Sequence, residues 1–467
     1  MTTNTQTPAD FLIQGAAALH TGEAGDDAVR TTGTDVRVRA GRIEAIGTLT
    51  PEPGEAVVDA RHAVLYPGWV NTHHHLFQSV LKNIVAGQGV PLEPWLEAVP
   101  YHYGPLIDRE ALTVAATLGM AELLLSGCTT VADHHYLFGP GMDHDPAQVL
   151  FDTAEQLGAR FVLLRGGATL QRAASTGPLP LPCETLDAML DTVHNTVSRY
   201  HQTGGDALRK VVMAPTTPFY STTPDELRAM ARAARSWGIG LHSHLSETAH
   251  YVHFAAERWG MRPVQWCAEQ EWIGPDVSYA HMVHLDASEI ALCGQTGTAI
   301  AHCPQSNGRL GSGIAPVQAL HAAGAVVSVG VDGAASNEAA DMVNELHAAW
   351  LIHRAAKGAD AQTAAQLVHW GTDGGARALG LNQVGRLVPG MQADLALYDL
   401  NHPRYAGHHE LASAPITAGG GAHLRRVWVA GREVVRDGAI PGLDLPHWLA
   451  RARAVVERLQ QRAGLRA

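Results

Sequence analysis

Hydrophobic positions change their spacing twice along this chain. Up to about Val64 they form short, β-branched runs punctuated by Gly or Pro: Phe11-Leu12-Ile13, Asp35-Val36-Arg37-Val38, Arg42-Ile43-Glu44-Ala45-Ile46-Gly47 and Ala56-Val57-Val58-Asp59. The same texture returns late, in Ala393-Asp394-Leu395-Ala396-Leu397-Tyr398 and in Leu424-Arg425-Arg426-Val427-Trp428-Val429-Ala430-Gly431. Two all-β flanks around a different middle predict one small β-sandwich built from both ends of the chain.

The middle alternates strand and helix patterns, which predicts βα units and a parallel sheet. After Pro67-Gly68-Trp69-Val70 come Thr129-Thr130-Val131-Ala132-Asp133, Phe161-Val162-Leu163-Leu164-Arg165 and Val211-Val212-Met213-Ala214. Gly240-Leu241-His242, Val277-Ser278-Tyr279-Ala280, Thr298-Ala299-Ile300-Ala301 and Val326-Val327-Ser328-Val329 bring the strand candidates to eight. Helix-length segments such as Glu110 to Leu125 and Pro224 to Trp237 separate them, and eight is the number that closes a barrel. The expected layout is residues 1–66 in the sandwich, 67–384 in a distorted (β/α)8 barrel, and 385–467 completing the sandwich and adding a terminal helix, Pro446 to Gln461. At 467 residues, one large domain with a smaller one fits the size.

Charge and cysteine content narrow the setting. The formal net charge is -12 without a Lys/Arg cluster, which argues against nucleic acid or an anionic membrane as partner. Cys128, Cys183, Cys267, Cys293 and Cys303 are scattered and never form a C-x-x-C pair, as expected of reduced thiols. The opening Met1-Thr2-Thr3-Asn4-Thr5-Gln6 shows no basic n-region or apolar h-region, and no apolar run approaches membrane-helix length. A cytoplasmic protein is the expectation.

Histidine is the outlier at 27 copies, and placement matters more than number. In Asn71-Thr72-His73-His74-His75, side chains two apart share a strand face, so His73 and His75 can grip one ion while His74 points away. His244, His281 and Asp332 fall at or just beyond the ends of later strand candidates, where barrel enzymes place their chemistry. Asp332 lies between Val331 and Gly333, a poor place for a carboxylate unless it is paired or metal-bound. Imidazoles and a carboxylate around one divalent ion, with a position left for water, make a hydrolytic metal centre. Glu247, three residues past His244, lies beyond the strand, where it can protonate a substrate atom. Of His281 and His284, the earlier is nearer the strand end and is preferred. His134, His135, His302, His408 and His409 read as structural or surface residues.

With these motifs in view the chain resembles the amidohydrolase superfamily, in its branch of aromatic deaminases and triazine hydrolases. The likeness spans nearly the whole chain. It is carried by Pro67 to His75, Ser126-Gly127-Cys128-Thr129-Thr130, His302-Cys303-Pro304-Gln305-Ser306-Asn307, Gly330 to Asn337, and Gly385 to Leu395. Within the branch it is most similar to the isoxanthopterin and 8-oxoguanine deaminases. His244-Leu245-Ser246-Glu247-Thr248, Gly260-Met261-Arg262-Pro263 and Asn307 to Gly313 look like both, while Leu164 to Thr169 and Val212 to Thr217 look more like the pterin enzymes.

The resemblance implies a (β/α)8 barrel with a β-sandwich, and His73, His75, His244 and Asp332 as metal ligands. It also implies His281 beside the metal and Glu247 as proton shuttle, with Glu247, His281 and Asp332 forming the catalytic group. Binuclear members bridge their ions with a carboxylated lysine at the end of the fourth strand. Among Lys82, Lys210 and Lys357, only Lys210 is near that strand, and it precedes it, so one ion per chain is expected. Zinc suits the ligand set, with iron and manganese as alternatives. A homodimer is the family-level expectation.

Gln78 and Arg165 are candidates to meet the carbonyl and lactam edges of a flat heterocycle, and Trp95 and Tyr220 to stack on it. For Trp95 a core position fits equally well, and Arg165 can instead pair with a carboxylate. The expected reaction removes the exocyclic amine of an isoxanthopterin-like 2-aminopteridine with release of ammonia. The alternatives are the same reaction on 8-oxoguanine or a related purine, and displacement of chloride or an amine from a triazine.

Overall fold

The computed structural model describes residues 9–171, 181–421 and 423–464. Its central sheet holds eight parallel strands in chain order. They are Trp69–Asn71, Cys128–His135, Arg160–Arg165, Arg209–Met213, Leu241–Leu245, Val277–His281, Ala299–His302 and Val326–Val329. The first and eighth meet just past their ends. Thr72 N–H donates to Val329 O at 3.1 Å, Asp332 N–H donates to His73 O at 3.0 Å, and His74 bridges to Asp332 in parallel. The sheet thus closes into the expected distorted barrel.

Each strand follows from its run of apolar residues. Phe161, Val162, Leu163 and Leu164 are all buried, because helices cover the outer face while other strands face the inner one. The helices carry their own start signals. Pro224–Ser236 begins after Thr223, which forms a reciprocal capping box with Glu226, and it buries Leu227, Met230, Ala231 and Ala234 along one stripe. Two departures from the sequence reading matter for the site. The second strand runs on to His135 and the fifth to Leu245, so His134 and His244 are carried on rigid backbone.

The barrel interior is divided. Ala132, Val162, Leu164 and Val212 make an apolar cluster on the side of strands two to four, closed from below by Ala376, Leu379 and Leu381. Strands five and six contribute His242 and Ser278 instead, hydrogen bonded to each other. Between the fourth and fifth strands the ladder keeps one registered pair, Met213 with Leu241. A cavity of about 430 Å³ opens beside it, lined by Lys210, Val212, Gly240, Leu241 and Ser278 among others.

The chain ends build two further sheets. A six-stranded sheet joins both ends, three strands from each: Arg432–Arg436, Leu424–Val429, Leu395–Asp399, Ala63–Pro67, Ala18–His20 and Val29–Arg30, in that order. A four-stranded sheet orders Arg42–Gly47, Asp35–Arg39, Phe11–Gln14 and Ala56–Asp59. Phe11, Ile13, Val36, Val38, Leu65, Leu395 and Trp428 pack in one core with residues of both, and Phe11 stacks on Trp428 at 5.1 Å. Buried polar contacts fasten these sheets to the barrel. Arg160 pairs with Asp394 at 2.9 Å, and the Tyr398 hydroxyl accepts from the Trp69 indole while donating to Ser126 O, both at 2.6 Å. The terminal helix, Leu445–Arg462, lies on Arg109–Leu124 through Arg451–Glu110 and Arg458–Asp108 ion pairs. No helix among the described residues is long and apolar enough to cross a membrane.

Candidate metal centre

Strand ends of the barrel bring His73, His75, His244 and Asp332 together. His75 Nε2 lies 3.2 Å from His244 Nε2 and 3.3 Å from Asp332 Oδ1, which is in turn 3.4 Å from His73 Nε2. The donor atoms of His73, His75, His134 and His244 lie within 4.8 Å of one another, as do those of His73, His281 and Asp332. Gly330 makes the meeting of first and eighth strands possible, since a Cβ there would sit 2.8 Å from His73 Cβ. Asp332 and His281 are both non-glycine residues in the left-handed region, with φ of 59° and 74°. Such backbone costs about 1–3 kcal/mol each and gathers at functional sites.

The far side of each ring decides what its near side offers. His75 Nδ1 stands 2.7 Å from His134 O and His244 Nδ1 2.7 Å from Thr216 O. A carbonyl only accepts, so both Nδ1 atoms carry the proton and both Nε2 atoms present a lone pair. Two lone pairs 3.2 Å apart repel unless a cation or a proton lies between them. His73 Nε2 is buried without a hydrogen-bond partner among the described residues. Asp332 Oδ2 accepts from Ser306 Oγ at 2.5 Å and Ser336 Oγ at 3.1 Å, leaving Oδ1 for the cluster. Burial depresses His73 to about 4 and His244 well below its usual value. Burial would raise Asp332, but His73 and His75 hold it well below the carboxylate range. For His75, burial is outweighed by Asp332, which raises its pKa, so a proton competes with a cation there. Three imidazole nitrogens and one carboxylate oxygen, all aimed inward, fit a divalent ion of the zinc type.

Glu247 and His281 complete this floor on one side. His281 Nδ1 is 2.9 Å from Asn307 Oδ1, and its Nε2 is 3.6 Å from Glu247 Oε2. Glu247 Oε1 accepts from Ser312 Oγ at 3.3 Å, and burial raises the carboxyl to about 7. A carboxyl poised there can hold or release a proton near neutral pH. His74 turns away, as expected, with Nδ1 2.5 Å from Asp332 O, and His284 instead meets Ser312 O at 2.9 Å.

The pocket above is lined by His75, His244, Glu247, His281 and Asp332, by Gln78, Trp95 and Tyr101 from short helices, and by Tyr136 and Thr217 from the residues after strands, with Leu92, Leu96, Tyr251 and Leu310. Of the substrate-side residues expected from sequence, Gln78 and Trp95 therefore reach it. Gly333 makes room for Gln78, because a Cβ there would meet its Oε1 at 1.9 Å. Arg165 does not line it. Its guanidinium grips Glu184 at 2.7 and 2.8 Å and Thr192 at 2.7 Å, over the Phe138 ring, so it is a buried structural pair. Tyr220 packs against Tyr251 and Phe254 beside the pocket instead of lining it.

Sequence reasoning set His134 aside, yet its ring centre lies 4.8 Å from that of His244, inside the cluster. Strand parity carried the signal: if Ala132 faces inward, so does His134. No spacing rule marks Tyr101, Tyr136, Thr217 and Tyr251, which short helices and connecting segments bring to the mouth.

Comparison with known proteins agrees with this geometry. Residues 64–434 match the amidohydrolase family, and the chain belongs to it. Members are metal-dependent hydrolases, and this chain is one acting on carbon–nitrogen bonds. It is 50% identical over 475 residues to an isoxanthopterin deaminase from an unknown prokaryotic organism, covering 98% of each chain. It is 40% identical to the 8-oxoguanine deaminase of Pseudomonas aeruginosa, over 90% of this chain and 94% of the relative. Among solved structures, zinc-complexed atrazine chlorohydrolase TrzN from Arthrobacter aurescens TC1 superposes with a TM-score of 0.87 at 26% identity, covering 96% of this chain and 100% of that one.

Proposed function

We propose that this protein hydrolyses the exocyclic amine from an oxidised 2-aminopteridine of the isoxanthopterin type, releasing ammonia. The end-to-end likeness to an isoxanthopterin deaminase carries that choice. Two pocket groups support a lactam-bearing ring: the Trp95 indole N–H and Gln78 Oε1 are buried without hydrogen-bond partners among the described residues. One is a donor and one an acceptor, the pair that a ring carbonyl and its neighbouring N–H require. An 8-oxoguanine-type purine presents the same edge and is the second reading, favoured by the likeness to that deaminase.

His73, His75, His244 and Asp332 would hold one divalent ion, zinc by ligand type. Lys210 supports a single ion, since it lies near the start of the fourth strand with Nζ 2.9 Å from Gly380 O, at the opposite mouth. When bound, such an ion lowers the pKa of a water towards neutrality and polarises it for attack. Asp332 would take one proton of the attacking water on a carboxylate oxygen as the oxygen bonds to the ring carbon bearing the amine. Glu247 gives its proton to the adjacent ring nitrogen, so negative charge does not accumulate in the ring. His281, oriented by Asn307, positions the attacking oxygen. Asp332 then passes its proton to the amine, and the carbon–nitrogen bond breaks as ammonia leaves. Glu247 recovers a proton from the new hydroxyl, which becomes the carbonyl. Water in and ammonia out balance the cycle.

Ammonia release from metal-replete protein across pterins, purines, cytosine and triazines tests the reading. The expected outcome is the highest kcat/KM on isoxanthopterin. A tenfold preference for 8-oxoguanine would move the assignment to purines, and preferred release of chloride or alkylamine from a triazine would overturn the deaminase reading.

A further inference from the structure

We propose that His242 is a positioning residue that sets the tautomer of His73 and thereby the affinity of the centre for its cation. The inference rests on the reading of His73 as a metal ligand. His75 and His244 anchor their Nδ1 atoms on backbone carbonyls, His134 O and Thr216 O. Those acceptors belong to the fold and leave each ring one available tautomer. His73 differs: its Nδ1 faces another imidazole, His242 Nε2, at 2.9 Å. Between two neutral rings at that distance lies one proton, and it can belong to either.

The next link chooses. His242 Nδ1 is 2.8 Å from Ser278 Oγ, the residue directly across the ladder, and that hydroxyl has the carbonyl of Leu241 at 3.5 Å. If Ser278 turns its O–H to Leu241 O, it accepts from His242 Nδ1–H. His242 Nε2 then accepts from His73 Nδ1–H, and His73 Nε2 faces the centre with a free lone pair. If Ser278 turns its O–H to His242, every proton in the row reverses. His73 then carries its proton on Nε2, pointing at Asp332 Oδ1 3.4 Å away, and cannot bind a cation there. Cation binding and the first arrangement therefore favour each other, as linkage requires. His242 is wholly buried beneath His73, so no bulk solvent supplies an alternative acceptor. Ser278 also lines the cavity at the far mouth, so water entering there can replace a missing hydroxyl.

The test measures zinc affinity of metal-stripped protein by chelator competition, independently of turnover. His242→Leu is expected to weaken zinc binding roughly 10- to 100-fold, the usual cost of losing a partner behind a ligating histidine. His242→Gln, whose amide oxygen can accept from His73 Nδ1–H, is expected to recover most of that loss. Ser278→Val, which removes the hydroxyl and fills the space a water would take, should weaken binding severalfold. It should also shift nitrogen NMR signals of His73 from the Nδ1–H form towards the Nε2–H form. Unchanged affinity in His242→Leu, or a glutamine variant no better than the leucine one, would overturn the proposal. Should the leucine variant fail to fold, wild-type affinity and an unchanged His73 tautomer in Ser278→Val would overturn it equally. Wild-type protein that takes up no zinc would instead overturn the metal-centre reading on which the proposal rests.

Discussion

The floor and the wall of the pocket are built in opposite ways. On the floor the donors are held from behind: His75 and His244 by carbonyls, Asp332 by Ser306 and Ser336, His281 by Asn307, and His73 by the ring of His242. Each comes from the end of a barrel strand or the residues just past it, some on left-handed backbone that only a well-packed surrounding sustains. The wall is made of Leu92, Trp95, Leu96, Tyr101, Tyr136 and Tyr251, drawn mainly from loops and short helices. There Gln78 Oε1 and the Trp95 N–H are left without internal partners among the described residues. Groups committed to each other hold geometry, and groups left unsatisfied remain free to meet a ligand. On the proposed reading the floor supplies the chemistry and the wall selects the ring.

Substitutions should separate the two regions. The largest effect belongs to the floor: Glu247→Gln keeps the shape of the side chain but removes its exchangeable proton. Turnover should fall by about 10²–10⁴-fold with KM little changed, read from ammonia release at saturating substrate. Near-normal kcat would remove Glu247 from the acid role.

The second effect is a pH limb. Burial raises Glu247 to about 7, so the proton needed by the ring nitrogen is present below that pH and lost above it. Wild-type kcat/KM should therefore decline as pH rises through about 7. The residual rate of Glu247→Gln should lack that limb. If the limb persists in the variant, another group titrates it.

The smallest effect belongs to the wall. Trp95→Phe keeps the ring and loses the indole donor, at a cost of about 1 kcal/mol, roughly fivefold. It should appear in KM for substrates carrying the lactam carbonyl and leave kcat nearly intact. An equal loss in kcat would mean that Trp95 belongs with the catalytic floor.

The same division explains what could be read from the amino-acid sequence. Strand positions obey a period of two and end at a mouth, so His73, His75, His244 and Asp332 could be placed together before any coordinates. The alternating pattern also held information that went unused. Leu164 faces the interior, so Arg165 must face out towards Glu184, and His134 must share the face of Ala132. Tyr101, Tyr136 and Tyr251 follow no such period. Their positions depend on how the helices and connections after the strands pack over the mouth, and distance along the chain does not encode that. His242 was visible in His242-Ser243-His244, but its task depends on Ser278 from the next strand, a pairing set by register.

The strand Ala63–Pro67 leads through Gly68 into the barrel, while its ladder partner Leu395–Asp399 lies beyond the last barrel strand, Val326–Val329. Ala63–Pro67 can pair early with Ala18–His20, but its other edge stays open until the segment after the last barrel strand has been made. Removing either Ala63–Pro67 or Leu395–Asp399 would leave the other with an open edge beside the start of the barrel.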